Sequence, residues 1–136
     1  MSAEGNKALV RRYMEEAFEK RSSTIVDELV APEFVHHDPV SPIHGPEELK
    51  QLHGMFFAAF PDMRLTVEDM IAEADKVVTR WTIRGTHQGD LLGIPPTGKS
   101  VIVTGMVISR LKDGKFVEDW EKFDTMGLMQ QLGVIP

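Results

Sequence analysis

The chain has 136 residues, a formal net charge of −6 and no cysteine. An acidic balance without a basic cluster argues against nucleic acid as a partner, and the lack of cysteine removes disulfide and thiol chemistry and fits a cytoplasmic protein. With 42% hydrophobic and 26% charged residues, one globular domain over 1–136 is expected. No apolar run approaches the roughly 18 residues of a membrane span, and the opening MSAEGNK lacks the apolar segment of a secretory signal.

Residues 6–20 predict a helix, because Leu9, Val10, Tyr13, Met14, Ala17 and Phe18 recur at three and four. A short second helix is expected from Thr24 to Val30, with Ser23 as its cap and Ala31-Pro32 as its stop. Residues 33–38 read as extended. Pro39, Pro42 and Gly45-Pro46 mark a loop. A third helix starts at Pro46 and runs to about Phe60, with Leu49, Leu52, His53, Phe56 and Phe57 on its inner face.

The chain then turns to strands at 63–72, 77–86, 101–111 and 115–123, with a Gly- and Pro-rich loop over 87–99. The tail from Asp124 predicts a last helical turn folding over an opening. Helices followed by antiparallel strands give an α+β pattern. The expected form is a cone: a curved mixed or antiparallel sheet with helices on its concave face, enclosing a pocket for a hydrophobic small molecule. The strands are apolar on both faces, so a second copy of the chain is expected to cover the outer face as a homodimer.

The hairpin RLKDGKFVEDWEKFD, residues 110–124, carries the chemistry. Asp113-Gly114 between alternating apolar residues is a strong turn signal. Val117, Asp119, Glu121 and Phe123 share one face by period two, so two carboxylates lie among apolar neighbours. Burial of that kind raises a carboxyl pKa, which makes Glu121 the candidate general acid/base. Asp119 reads either as a rim charge or as the second member of a proton-sharing pair. Trp120 points the other way and is expected to anchor an interface.

Other polar candidates are His37, His53, Arg80 and His87. His36-His37-Asp38 has the residue types of a metal site, but neighbours on an extended segment point to opposite sides, so no metal is expected; one His, His37 by preference, is expected to face the pocket. His53 sits on the apolar stripe of the third helix. Arg80 and Trp81 lie on opposite faces of their strand, and one of the two lines the pocket. His87 either supports the chemistry or shapes its loop. GDLLGIPPTGK lacks the spacing of a phosphate loop.

The stretches GTHQGDLLGIPPTGK, SRLKDGKFVEDWEKFD and GLMQQLGVIP, with the opening helix and the AFPD after the third helix, resemble the SnoaL-like polyketide cyclases, or ester cyclases. The resemblance covers nearly the whole chain. It implies the nuclear-transport-factor-two-like cone. It also implies cofactor-independent acid/base chemistry, an intramolecular aldol-type cyclisation in which an acidic C–H beside an ester carbonyl is deprotonated. Glu121 stands where those cyclases carry a catalytic Asp, and Val107 stands where they carry a facing His. A two-residue turn would set Met106 opposite Glu121; a three-residue turn with Gly114 in a bulge would set Gly105 opposite Glu121 and Val107 opposite Asp119. The resemblance implies the second, with Gly105, Val107, Val117, Phe123 and Phe56 lining the pocket. The alternatives are a non-catalytic small-molecule-binding domain, or another enzyme on the same cone, such as an isomerase, dehydratase or epoxide hydrolase.

Overall fold

The computed structural model describes residues 2–38 and 42–136. Helix α1 (Ala3–Met14) is capped by the Ser2 hydroxyl, which accepts from the Gly5 amide, and runs into a π-helical turn, Glu15–Glu19. Helix α2 (Thr24–Leu29) follows. Ser23 does not cap it: its backbone is already helical (φ −78°, ψ −22°), so its hydroxyl cannot reach back to the first amides.

The chain extends at once into β1 (Val30–His37), through the Ala31-Pro32 pair that was expected to be only a stop. Pro32 is exposed and donates no ladder bond, and the pairing of β1 with its neighbour is interrupted between Val30 and Val35. Part of the expected loop is a strand, β2 (Pro42–His44), paired antiparallel with β1; Pro39 lies outside the described residues. Helix α3 (Gly45–Ala59) begins with Pro46 in its first turn. Strands β3 (Arg64–Glu73), β4 (Lys76–Thr86), β5 (Ser100–Lys112) and β6 (Lys115–Phe123) come next, and helix α4 (Thr125–Leu132) ends the order. Asp124 caps α4 by accepting from the Gly127 amide, and Gly133, at φ 79°, ends it in the left-handed region.

The six strands form one sheet in the order β2-β1-β6-β5-β4-β3. Only the β1–β6 pair is parallel among the described strands. The fold is therefore α+β with a curved mixed sheet. Its inner face carries Phe34, Val77, Trp81, Val101, Val103, Val107 and Leu111, all buried with Val10, Tyr13 and Met14 of α1 and Leu49 of α3. No helix among the described residues is long and apolar enough to cross a membrane.

The β5–β6 register differs from both expectations. The turn has two residues, Asp113 (φ 52°) and Gly114 (φ 76°), with Lys112 opposite Lys115. Both left-handed values belong to the tight turn that matches strand twist. A bulge then falls in β6, where Val117 is the extra residue between the Leu111–Phe116 and Arg110–Glu118 pairs. The result sets Val107 opposite Glu121, Ser109 opposite Asp119 and Gly105 opposite Phe123.

Gly105 therefore does not leave space in front of Glu121. A Cβ there would collide with the Trp81 indole and come within 2.8 Å of the Phe123 Cβ. Gly105→Ala is expected to cost about 1–3 kcal/mol as an overpacking change and to push Trp81 out of place. Thermal unfolding with tryptophan fluorescence would check this; a variant with wild-type stability and emission would show that the indole can give way freely.

Candidate functional site

Three strands and two helices bring the polar side chains together. Period two on β6 turns Asp119 and Glu121 inward and Trp120 outward. The parallel neighbour β1 sets His36 beside Asp119 in register, so His36 also points inward. His36 is 5% exposed. Its Nδ1 hydrogen-bonds Asp119 Oδ2 at 3.3 Å, and its Nε2 lies 3.3 Å from Glu121 Oε1 and 3.9 Å from Asp38 Oδ2. From the other flank, β4 presents Trp81, whose Nε1–H donates to Glu121 Oε2 at 3.1 Å. Glu121 thus has one oxygen facing an imidazole and the other held by an indole.

Burial opposes a charge on His36, but the contacts and charges of Asp119 and Glu121 outweigh it and raise its pKa to about 10. His36 is an imidazolium at neutral pH, clasped between two carboxylates. Glu121 is therefore not enclosed by apolar groups alone, as the hairpin by itself suggested.

The helices supply the facing wall. Tyr13 of α1 is 5% exposed, and its hydroxyl lies 3.4 Å from Nε2 of His53 on α3. Burial lowers the His53 pKa to about 4, helped by the charge of His36. Burial, with the charges of Asp119 and Glu121, holds the Tyr13 phenol well above its usual range.

Between these walls lies a cavity of about 100 Å³. Tyr13, His36, His53, Trp81 and Glu121 contribute its polar atoms. Phe18, Leu52, Phe56, Val103, Val107, Phe123 and Leu128 are among its apolar lining. A second space of about 450 Å³ adjoins it, sharing Leu52, Phe56, Phe123 and Leu128 and reaching Asp38, Glu48 and Leu91.

Several sequence candidates lie elsewhere. His37 is on the outer side, bonded to Glu118 at 2.7 Å and stacked on Trp120 with ring centroids 5.6 Å apart. The strand phase selects His36 instead. Arg80 is exposed and pairs with Asp69 at 2.7 Å, which leaves the cavity to Trp81. His87 is fully buried in the 87–99 loop, where its Nδ1 accepts from the Thr97 amide at 3.2 Å and meets the Thr97 hydroxyl at 3.0 Å. It shapes that loop and does not line the cavity. Asp119 is not a rim charge; it is buried behind Glu121. Neither Gly105 nor Val117 lines the cavity: Gly105 is covered by Trp81, and Val117 is displaced by the bulge.

His36-His37-Asp38, from which no metal is expected by sequence, nonetheless contributes two residues to a clustered donor set. His36, Asp38 and Glu121 offer donor atoms within 4.8 Å of one another. They are brought together by the β1–β6 pairing, which spacing along the chain does not reveal. One imidazole and two carboxylates are a donor set that could hold a divalent cation; the same atoms also form the ion pairs of a charged His36.

Trp81 and His36 were each one of two open choices that the strand pairing decided. One residue escaped the sequence reading. Tyr13 lay on the apolar stripe of α1, where a single phenol among aliphatic positions was the available signal.

The curved mixed sheet with helices on its concave face is the nuclear-transport-factor-two-like fold. The family model for SnoaL-like polyketide cyclases matches residues 8–132, and the chain belongs to that family. It is 31% identical over 127 residues to the nogalonic acid methyl ester cyclase of Streptomyces nogalater, covering 88% of this chain and 92% of that protein. Among solved structures it is similar to AclR of Streptomyces galilaeus, with a TM-score of 0.87 and 31% identity over 99% of this chain and all of the other. TsrD of Streptomyces laurentii is similar at a TM-score of 0.88 and 28% identity, covering 99% of each chain.

Proposed function

We propose that the chain acts as one SnoaL-like domain, a cofactor-independent acid/base catalyst in which Glu121 removes an acidic C–H proton beside a carbonyl. The observation that carries this reading is the setting of Glu121. Its carboxylate faces a largely apolar space, with Tyr13 and His53 as the other polar groups of the lining, while Trp81 and His36 hold it in place. Orientation of this kind is worth much of a proton-transfer rate, because a misplacement near 1 Å can cost about 10²-fold. Val107 leaves no imidazole on β5, but His36 supplies one from β1 on the other side of β6. The substrate class is a neutral carbonyl compound such as a β-keto ester, in keeping with the ester named for the Streptomyces nogalater relative. The inner cavity suits the reacting end, and the adjoining 450 Å³ space suits the rest of a larger molecule. Aldol-type ring closure follows if the same molecule carries a second carbonyl within reach.

The test is proton exchange, which needs no knowledge of the ring-closing substrate. A panel of β-keto esters is incubated in D₂O, and loss of the α-C–H NMR signal is compared with and without the protein. Protein-dependent exchange of at least one ester is expected. Saturable binding without exchange across the panel would instead mark a small-molecule-binding domain.

The reading includes a cytoplasmic homodimer. Ile102, Met106, Ile108 and Trp120 are 53%, 52%, 37% and 36% exposed on the outer face of β5 and β6, with Ile108 directly opposite Trp120. Sedimentation equilibrium is expected to give twice the chain mass, and Ile108→Lys to give the monomer. A monomeric wild-type chain at micromolar concentration would remove the dimer.

A further inference from the structure

Glu121 accounts for the proton but not for the electrons it releases. When a C–H bond beside a carbonyl breaks, its electron pair becomes the enolate double bond and the carbonyl pair moves onto oxygen. That oxygen needs a donor, and a water-excluded cavity offers few. The inner wall opposite Glu121 carries one hydroxyl, that of Tyr13, with His53 as its neighbour at 3.4 Å. Rings surround the pair: Phe116 packs tilted against Tyr13 with centroids 4.8 Å apart, and Phe18 packs tilted against His53 at the same distance. These contacts fix both side chains on rigid helices.

We infer that Tyr13 is a second catalytic residue, donating its O–H to the developing enolate oxygen, and that His53 is its positioning residue, with Nε2–H donating to the Tyr13 oxygen. This tautomer matters. With the hydrogen on Nε2, the Tyr13 proton is free to point into the cavity. With it on Nδ1, Nε2 would take the phenol hydrogen and leave no donor for a substrate. Two neutral groups suit this task. A neutral His53 gives a hydrogen bond without competing with the substrate for the proton, and a phenol that resists ionisation stays a donor. No proton passes from Tyr13; only Glu121 exchanges one. The ligand class implied is an enol, enolate or phenol whose oxygen reaches the α1–α3 wall while its carbon faces β6. The inference rests on the proposed role of Glu121 for its place in the reaction, but its test does not.

The test uses 4-nitrophenol, a stable mimic of an enolate that absorbs in the visible as the anion. The wild-type chain is expected to bind it with the phenolate band enhanced at a pH below the point where the free phenol ionises. Tyr13→Phe keeps the ring against Phe116 and is expected to weaken binding about tenfold, the loss of one charge-assisted hydrogen bond, and to abolish the enhanced band. His53→Phe is expected to weaken it about threefold and to shift the band, which mere loss of packing would not do. Glu121→Gln should hold or tighten the anion, since it resembles the protonated carboxyl. Equal affinity in Tyr13→Phe and wild type, or no saturable binding by the wild type, overturns the inference. A Glu121→Gln variant that still catalyses exchange would remove the proposed base while leaving this outcome standing; lost exchange with unchanged 4-nitrophenol binding in Tyr13→Phe would do the reverse.

Discussion

Glu121→Gln is expected to lower protein-dependent deuterium exchange of a β-keto ester by about 10²–10⁴-fold, the usual worth of a positioned general base. The amide is nearly isosteric and keeps an oxygen for the Trp81 N–H, now at 3.1 Å from the carboxylate. His36 retains Asp119. The fold should therefore survive with a modest loss of stability, and a loss of rate far larger than that change would isolate the proton-accepting role. Glu121→Asp is the sharper comparison. It keeps the charge but draws the carboxylate back by one methylene, away from the Trp81 and His36 contacts. A fall of about 10²-fold is expected from displacement alone. A Glu121→Gln variant that exchanges within about threefold of wild type would remove Glu121 from the chemistry and turn attention to the remaining polar groups of the cavity.

His36→Leu is expected to destabilise the fold by about 3–5 kcal/mol, because it removes the cation from two carboxylates that stay behind in a largely buried site. The side chains of His36, Asp119 and Glu121 are 6%, 12% and 20% exposed, so solvent screening removes little of this. The pH dependence gives the effect its signature. The folded pKa of His36 is raised from 6.5 to about 10. A raised pKa means that the folded chain holds a proton the unfolded chain has released. That stability is fully present below pH 6.5 and is lost as pH rises through about 10. The gap between wild type and His36→Leu should thus be widest near pH 6 and shrink toward pH 10, as read by urea unfolding at several pH values. His36→Gln, which keeps a polar contact without the charge, should fall between them. A gap that does not change with pH would mean that His36 is neutral in the fold.

The two variants separate tasks that the cluster combines. Glu121 is proposed to act on substrate, whereas His36 and Trp81 hold it. Their loss should move stability and rate together, while the amide at 121 moves rate far more than stability. Loss of one holder need not add to loss of the other, because both touch the same carboxylate.

Much of this was legible in the chain. Period three-to-four patterns mark α1 and α3, and β-branched runs mark β4 and β5, since side-chain direction in a helix or strand repeats by geometry alone. Asp113-Gly114 located the hairpin, and period two put Asp119 and Glu121 on one face with Trp120 on the other. The family resemblance likewise rested on contiguous stretches, and the family model matches residues 8–132.

Only the tertiary structure decided which face of each strand became the inside. Alternation separates His36 from His37 and Arg80 from Trp81, but it does not say which of each pair meets the core. That depends on the pairing of β1 with β6, some 83 residues apart for His36 and Asp119, and on the position of β4 across β5. The two-residue turn by itself would set Met106 opposite Glu121, and the bulge at Val117 moves that partner on by one residue, to Val107, two positions from Gly105 and on the same face of β5. Tyr13 and His53, on helices 40 positions apart, meet only because both helices pack on one concave sheet. Local chemistry thus dictated the elements and the carboxylates, while long-range pairing chose the imidazolium, the indole and the phenol that surround them.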